Sequence, residues 1–138
     1  WLDAKEKKYV EEVGTMNMFF VIDGVVITSP LTGSILPGIT RDSVIQLCKS
    51  EGIKVEERNI AIDEVITAFE NSKLDEAFGS GTAAVITPVG LLGYKGKDYT
   101  INDFKVGKLT QRLYDTITGI QWGKIEDKFG WIQKATKD

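Results

Sequence analysis

The sequence predicts a single α+β (mixed α/β) domain in which strands and amphipathic helices alternate along the chain. Of its 138 residues, 42% are hydrophobic and 27% are charged, which is enough apolar material for a core. Short β-rich runs are separated by turn signals, and three stretches carry apolar residues at helical spacing. Because no internal repeat or linker divides the chain, we expect residues 1–138 to form one domain.

The first predicted elements are a β-hairpin and a helix. Residues 18–27 place two β-rich segments around Asp23-Gly24, a strong two-residue turn signal. A loop rich in glycine, proline and serine follows, and helical spacing of apolar residues predicts a helix over residues 41–51. Thr40 is predicted to be the N-cap of this helix, and Gly52 fits just past its end.

The middle of the chain is predicted to add a strand, a second helix and another strand. Residues 54–60 alternate enough to form a strand. Asp63 is predicted to cap the amphipathic helix that follows. Residues 74–78 then predict a short strand, and the GSGT sequence at residues 79–82 predicts a turn.

The last third is predicted to contain a buried strand, a turn and a long helix. The apolar run at residues 83–92 includes Pro88, which favours a buried strand with a bulge or an edge position. Residues 94–97 are predicted to turn the chain back toward Tyr99. Gly123 should end the third helix, whose apolar positions are Val106, Leu109, Leu113, Ile117 and Ile120.

Composition excludes several classes of function. A formal net charge of -3 provides no excess of cations for a nucleic-acid partner. The chain has no histidine and one cysteine, Cys48, so we expect neither a metal site nor imidazole catalysis. No apolar run approaches the roughly 20 residues that span a bilayer, so a membrane partner is not expected. We therefore expect a cytoplasmic protein.

Three short motifs lie on predicted loops between stronger elements. They are EVGTMN at residues 12–17, LPGITR at residues 36–41 and GSGTA at residues 79–83. Taken singly, the first fits a solvated strand edge, the second a loop that leads into a helix, and the third a turn of small residues. Each motif alone is therefore weak evidence for a binding site.

Together the motifs have the polarity of a binding site. Ile39 and Thr40 present backbone N–H groups at a predicted helix start, where geometry and dipole favour an anion. The glycines of the third motif let a ligand approach the backbone, and Glu12 supplies a negative group. A ligand with a phosphate at one end and a protonated ring nitrogen at the other matches this arrangement.

Three segments also carry a resemblance to a known family: EEVGTMNMFFV, SILPGITRDSVIQL and EAFGSGTAAVITPV. In this order they resemble the branched-chain aminotransferases, which are fold-type IV pyridoxal-phosphate enzymes. The resemblance implies the C-terminal large domain of such an enzyme, truncated on its N-terminal side, with a mixed sheet or pseudo-barrel and flanking helices. Alternatives are a D-amino-acid aminotransferase, an aminodeoxychorismate lyase, or a folding or association module without chemistry.

The resemblance implies cofactor-binding roles for four residues. Glu12 would pair with the pyridine nitrogen of pyridoxal 5'-phosphate and keep it protonated. The backbone amides of Ile39 and Thr40, together with the Thr82 hydroxyl, would bind the cofactor phosphate. We therefore expect the four residues to line one cleft at the edge of the sheet.

The resemblance also implies the substrates and the missing catalyst. The amides of Thr82 and Ala83, with Thr15, would face the carboxylate of an amino acid or 2-oxo acid. The substrates would be leucine, isoleucine or valine with 2-oxoglutarate. In the family the Schiff-base lysine lies upstream of the first motif, so we expect no catalytic residue in this chain and no turnover by the chain alone.

Self-association is a further expectation, because the family's members are dimers or larger. Apolar surface that faces other parts of such an enzyme should be exposed around residues 16–20 and the cofactor cleft, and exposed apolar patches promote association. Sedimentation velocity of the chain should therefore show a sedimentation coefficient that rises with concentration. A monomer at every concentration would contradict this expectation.

Overall fold

The computed structural model describes residues 1–135, which are built around a six-stranded mixed sheet. In chain order the elements are β1 (Glu12–Val13), β2 (Met16–Ile22), β3 (Val25–Thr28), α1 (Ile39–Ser50), β4 (Val55–Glu57), α2 (Ile62–Glu70), β5 (Leu74–Gly81), β6 (Val85–Pro88), β7 (Leu91–Tyr94), β8 (Lys97–Thr100), a short 3-10 helix (Asn102–Phe104) and α3 (Lys108–Gln121). The large sheet has the order β4-β3-β2-β5-β6, with β1 also paired to β2, while β7 and β8 form a separate sheet. β3 and β4 are parallel and the other pairs are antiparallel, so the predicted α+β class with a mixed sheet is confirmed.

The central strand β2 is buried on both faces. Met18 and Phe20 belong to an apolar cluster that includes residues of α2, whereas Phe19 and Val21 belong to a cluster with residues of α1 and α3. Successive strand residues point to opposite faces, so β2 joins the two clusters. The Phe19 ring stacks on Phe78 of β5 with ring centroids 4.9 Å apart. No helix within residues 1–135 has the length and apolarity needed to cross a bilayer.

Two of the predicted turns and two predicted helix ends, each with a glycine of positive φ, are confirmed. Asp23 and Gly24 join β2 to β3 with φ of 51° and 78°, as a tight hairpin requires. Lys95 and Gly96 join β7 to β8 in the same way. Gly52 and Gly123 adopt φ of 74° and 73° just past the ends of α1 and α3, which is the usual conformation of a helix-ending glycine.

Both predicted side-chain N-caps are wrong. The N-cap of α1 is Gly38, and Thr40 lies inside the first turn, where its hydroxyl donates to the carbonyl of Gly81 at 3.3 Å. The N-cap of α2 is Ala61, because Ile62 is buried and already belongs to the helix. Asp63 therefore lies in the first turn of α2, where its charge complements the helix dipole.

The predicted single strand over residues 83–92 is wrong. The run divides into β6, which ends at Pro88 on the edge of the large sheet, and β7, which begins at Leu91 in the small sheet. The predicted edge position of Pro88 is confirmed, since proline cannot donate a ladder hydrogen bond. The predicted turn at residues 79–82 is also wrong, because β5 continues to Gly81 and the turn comprises residues 82–84.

Two further boundaries differ from the prediction. The strand expected at residues 54–60 is limited to Val55–Glu57, which pairs with β3. Val106 precedes α3 and its side chain is 47% exposed, although helical spacing predicted a core position. The helix begins only at Lys108 because Glu76 of β5 fixes its N-terminus.

Glu76 caps α3 from a strand of the large sheet. One carboxylate oxygen accepts the N–H of Thr110 at 2.8 Å and its hydroxyl at 2.7 Å, and the other accepts the N–H of Leu109 at 3.1 Å. A Cβ on Gly107 would lie 1.9 Å from this carboxylate, so position 107 has no room for a side chain. The negative charge satisfies amides that the helix itself leaves without partners.

Replacement of Glu76 should therefore destabilise the fold. Glu76→Ala leaves two amides and a buried hydroxyl without an acceptor, so we expect the free energy of unfolding to fall by about 2–3 kcal/mol. Urea denaturation followed by circular dichroism measures this change. The control Glu70→Ala, at the exposed end of α2, should change stability by less than about 0.5 kcal/mol. Equal losses in both variants would contradict the capping role.

The thiol of Cys48 should be unreactive in the folded chain. Cys48 is fully buried in α1, and this burial raises the pKa of its thiol to about 11, although the nearby Arg112 cation favours the thiolate. At pH 8 a disulfide reagent should react quickly only after the chain is unfolded in denaturant. Because the folded pKa is raised, the stability from the neutral thiol should be lost as pH rises from about 9 to about 11. Rapid labelling of the native chain would contradict this.

Candidate functional site

A row of polar residues crosses three strands at the end of the sheet where β2 begins. Glu12 of β1 is opposite Asn17 of β2, and Asn17 is opposite Ser80 of β5. Residues directly opposite each other project on the same face of a sheet. Strand pairing thus places the first motif beside the third, although they are more than sixty residues apart in the sequence.

The same row holds the loop that contains the second motif. One Glu12 carboxylate oxygen accepts the N–H of Leu36 at 3.1 Å. The Asn17 side-chain amide donates to the carbonyl of Leu36 at 2.9 Å. Both backbone groups of Leu36 are therefore bound by side chains that are neighbours across β1 and β2.

The start of α1 presents two backbone donors that have no acceptor within the described residues. The first helical hydrogen bond runs from the N–H of Asp42 to the carbonyl of Gly38. Within residues 1–135, no acceptor contacts the N–H groups of Ile39 and Thr40. Free amides at the positive end of a helix dipole are suited to an anion such as a phosphate.

The third motif contacts the start of α1 directly. The Thr40 hydroxyl donates to the carbonyl of Gly81, which precedes the exposed turn of residues 82–84. Gly81 also packs against Met16, so closely that a Cβ on it would lie 3.0 Å from the Met16 side chain. The exposed Thr15 precedes Met16 and therefore lies at the same end. Of the predicted residues, Glu12 is bonded to the loop that precedes Ile39 and Thr40, and Thr40 is bonded to the residue that precedes Thr82 and Ala83.

The location of the predicted residues differs from the expected cleft at the edge of the sheet. The residues gather at the ends of β2 and β5, which are central strands, and not along the outer strands β4 and β6. The reason is that Glu12 lies in β1, which pairs with the first residues of β2. The end of a sheet brings loops from several strands together, as a site assembled from three motifs requires.

Glu12 also borders an apolar cleft of about 330 Å³. Its walls come from the N-terminal residues, β2, α2 and β7, and include Leu2, Val10, Met18, Phe20, Ile62 and Tyr94. Ile39, Thr40 and Thr82 do not line this cleft. Glu12 thus stands between the polar loop of residues 36–40 and an apolar cleft.

The expected exposure of residues 16–20 is wrong. Met18, Phe19 and Phe20 are buried, because β2 is the central strand and both of its faces are covered. Apolar exposure near the site comes from the loop instead, where Leu36 is 72% exposed and Ile39 is 87% exposed. Apolar surface around the site is therefore contributed by the second motif and not by the first strand.

Three residues near the site were not singled out from the sequence. Asn17 holds Leu36, as described above. The buried Arg41 donates to the carbonyl of Ser29 at 2.9 Å and to the carboxylate of Glu57 at 2.8 Å, which ties the start of α1 to β3 and β4. The hydroxyl of Ser80 is buried and has no partner among residues 1–135. All three are in or beside the motifs, but only the strand register reveals their contacts.

The sequence matches a family described as class IV amino-transferases over residues 4–92. A probable branched-chain-amino-acid aminotransferase of Staphylococcus epidermidis is 60% identical over 137 residues, which are 99% of this chain and 38% of that protein. Branched-chain-amino-acid aminotransferase 2 of Bacillus subtilis is 58% identical over 98% of this chain and 37% of its own length. The chain thus spans less than two fifths of these relatives.

Solved structures give the same result for the fold. Branched-chain amino acid aminotransferase from Escherichia coli matches with a TM-score of 0.78 and 38% identity, over 96% of this chain and 41% of that one. The T.th. branched-chain amino acid aminotransferase complexed with N-(5'-phosphopyridoxyl)-L-glutamate matches with a TM-score of 0.77 and 33% identity, over 94% and 40%. The mixed sheet and its helices therefore form part of the fold of these fold-type IV enzymes.

The Ser80 hydroxyl should contribute nothing to stability if it has no partner. Ser80→Ala removes a buried polar group, so we expect the free energy of unfolding to stay the same or rise by up to about 1 kcal/mol. The matched control is Thr28→Val, because the buried Thr28 hydroxyl donates to the carbonyl of Met18 at 2.8 Å. That variant should lose about 1 kcal/mol in the same urea titration. A similar loss in Ser80→Ala would mean that an ordered water binds this hydroxyl.

Proposed function

The chain belongs to the class IV aminotransferases, and from this premise we propose that it forms part of a branched-chain aminotransferase. The reaction would transfer the amino group between leucine, isoleucine or valine and 2-oxoglutarate. Two relatives of that name are 60% and 58% identical to the chain. The observation that carries the proposal is the contact of Glu12 with Leu36 and of Thr40 with Gly81, which joins the three motifs.

Pyridoxal 5'-phosphate fits the donors and acceptors of this site. The unused N–H groups of Ile39 and Thr40 suit its phosphate, and the carboxylate of Glu12 suits a protonated ring nitrogen. When bound, this cofactor supplies an electron sink for the bond that breaks at the substrate Cα. The solved T.th. relative has a phosphopyridoxyl compound bound, which supports the same ligand class here.

Glu12 would act by keeping the ring nitrogen of the cofactor protonated. Its carboxylate, placed by β1 beside the loop, would accept a hydrogen bond from the ring nitrogen and favour the protonated ring. The half-buried position of Glu12 limits competition from water. Ile39, Thr40 and the Thr82 hydroxyl would bind and orient the other end of the cofactor. Strand β1 would thus hold one end of the ligand, and the start of α1 with the turn after β5 would hold the other.

The exposed turns would bind the substrate carboxylate. The N–H groups of Thr82 and Ala83 lie in the turn between β5 and β6, and Thr15 lies in the turn between β1 and β2. Contact between Met16 and Gly81 keeps these two turns together. We propose that they form one carboxylate site, which would serve both the amino acid and the 2-oxo acid.

We also propose what kind of larger enzyme the chain belongs to. Residues 1–138 would be the C-terminal large domain of a cytoplasmic homo-oligomeric enzyme of branched-chain amino-acid biosynthesis. The related D-amino-acid aminotransferases and aminodeoxychorismate lyases are alternatives, as is a module without chemistry. The names of the relatives with 60% and 58% identity favour the branched-chain group.

Activity of the full-length protein that carries this chain tests the proposal. We expect transfer from leucine, isoleucine and valine to 2-oxoglutarate. Glu12→Gln cannot stabilise the ring proton with a charge, so kcat should fall by about one to two orders of magnitude. The control is Glu11→Gln, which should retain activity because the Glu11 carboxylate accepts the Ser34 hydroxyl at 2.9 Å and not the N–H of Leu36. Negligible rates with all three amino acids would refute the assignment, and activity with D-alanine alone would favour the first alternative.

A further inference from the structure

We propose that Asn17 is a positioning residue that fixes the loop before α1 and thereby orients the amides of Ile39 and Thr40. The proposal deepens the function proposed above and rests on it for the identity of the anion, which would be the phosphate of the cofactor. Asn17 itself does not contact the ligand in this view. It acts through the backbone of Leu36 and Gly38.

A hydrogen bond connects Asn17 to the loop before α1. The Asn17 side chain is almost fully buried, with 5% of the residue exposed, and its amide donates to the carbonyl of Leu36 at 2.9 Å. The same carbonyl accepts the N–H of Gly38 at 2.9 Å. One oxygen therefore joins Asn17 to a tight turn that ends at the N-cap of α1, one residue before Ile39.

The loop also approaches the Asn17 side chain closely at Gly38. A Cβ on Gly38 would lie 2.5 Å from the side-chain oxygen of Asn17, which is too short for any side chain at position 38. Asn17 thus contacts the loop at two points, Leu36 and Gly38. Two contacts on a short segment fix its orientation as well as its distance from the sheet.

Asn17 is itself held in place by strand pairing. It pairs with Glu12 on one side and with Ser80 on the other, in the central strand of the sheet. The Glu12 carboxylate accepts the N–H of Leu36. The residue proposed to bind the ring nitrogen is therefore bonded directly to the loop proposed to bind the phosphate. The separation between the two ends of the ligand site is therefore set by the β1–β2 pairing.

Two substitutions of Asn17 separate positioning from simple packing. Asn17→Leu keeps a similar volume and removes the donor. Asn17→Asp keeps the shape and can donate to the Leu36 carbonyl only when the introduced carboxyl is protonated. The control is Ser34→Ala, which removes a hydroxyl of the same loop that bonds Glu11 and not Asn17.

The first measurement uses the 138-residue chain without ligand. We expect Asn17→Leu to shift the amide signals of Leu36, Gly38, Ile39 and Thr40 in 1H–15N spectra and to lower their heteronuclear NOE. The signals of β2 and β5 beyond the site should stay in place, which shows that the sheet remains folded. Ser34→Ala should leave the signals of Ile39 and Thr40 unchanged.

The second measurement is a titration of the same chain with inorganic phosphate and with pyridoxal 5'-phosphate. The unsubstituted chain should show saturable shifts at Ile39 and Thr40, and Asn17→Leu should weaken binding by about fivefold to tenfold. Asn17→Asp should bind weakly at neutral pH, and its affinity relative to the unsubstituted chain should recover as pH falls through the pKa of the new carboxyl. Because protonation of the new carboxyl restores the donor and also removes a negative charge, the uncharged Asn17→Leu shows the effect of losing the donor alone.

The outcomes distinguish the two proposals. Loop signals and phosphate affinity that are unchanged in Asn17→Leu, or an affinity ratio for Asn17→Asp that does not change with pH, would overturn the role of Asn17 alone. If Asn17→Leu loosens the loop but neither phosphate compound shifts Ile39 or Thr40 in the unsubstituted chain, Asn17 is the anchor of this loop and the proposed cofactor site is refuted. Saturable shifts with the expected weakening support both proposals.

Discussion

The pairing of β2 with β1 and β5 is the constraint on which the rest of the structure depends. Because β2 is buried on both faces, a shift of one residue in its register would move apolar side chains to the wrong cluster. The same register places Glu12, Asn17 and Ser80 in one row at the end of the sheet. The packing that stabilises the domain therefore also sets the geometry of its candidate site.

The N-termini of α1 and α3 illustrate two uses of the same physical feature. At α3, the carboxylate of Glu76 accepts the amides of Leu109 and Thr110, so the helix end is satisfied within the fold. At α1, the N-cap is a glycine without a side-chain acceptor, and the next two amides have no partner within the described part of the chain. A helix end without a carboxylate cap is suited to an external anion, whereas the end that Glu76 caps is structural.

The loop before α1 is ordered by side chains of the sheet, although it has no regular structure of its own. Glu12 and Asn17 hold Leu36, and Arg41 ties the first turn of the helix to β3 and β4. The side chains of Asn17 and Arg41 are buried, and leaving their hydrogen bonds unmade is costly, so these contacts favour one loop conformation. A preorganised loop loses less entropy when a ligand binds, which fits its proposed role in holding a phosphate.

The sequence by itself determined the class of the fold, two hairpin turns, the glycines that end two helices and the three motifs, because these depend on local patterns. The conformations of Asp23-Gly24 and Gly52 follow from backbone preferences alone. The family resemblance follows from the order of the motifs. The tertiary structure decided where the helices begin and how the three motifs contact one another. Thr40 is not an N-cap because the carbonyl of Gly81 binds its hydroxyl, and the role of Asn17 depends on a partner loop brought by strand pairing. Such contacts join residues distant in sequence, and no local pattern encodes them.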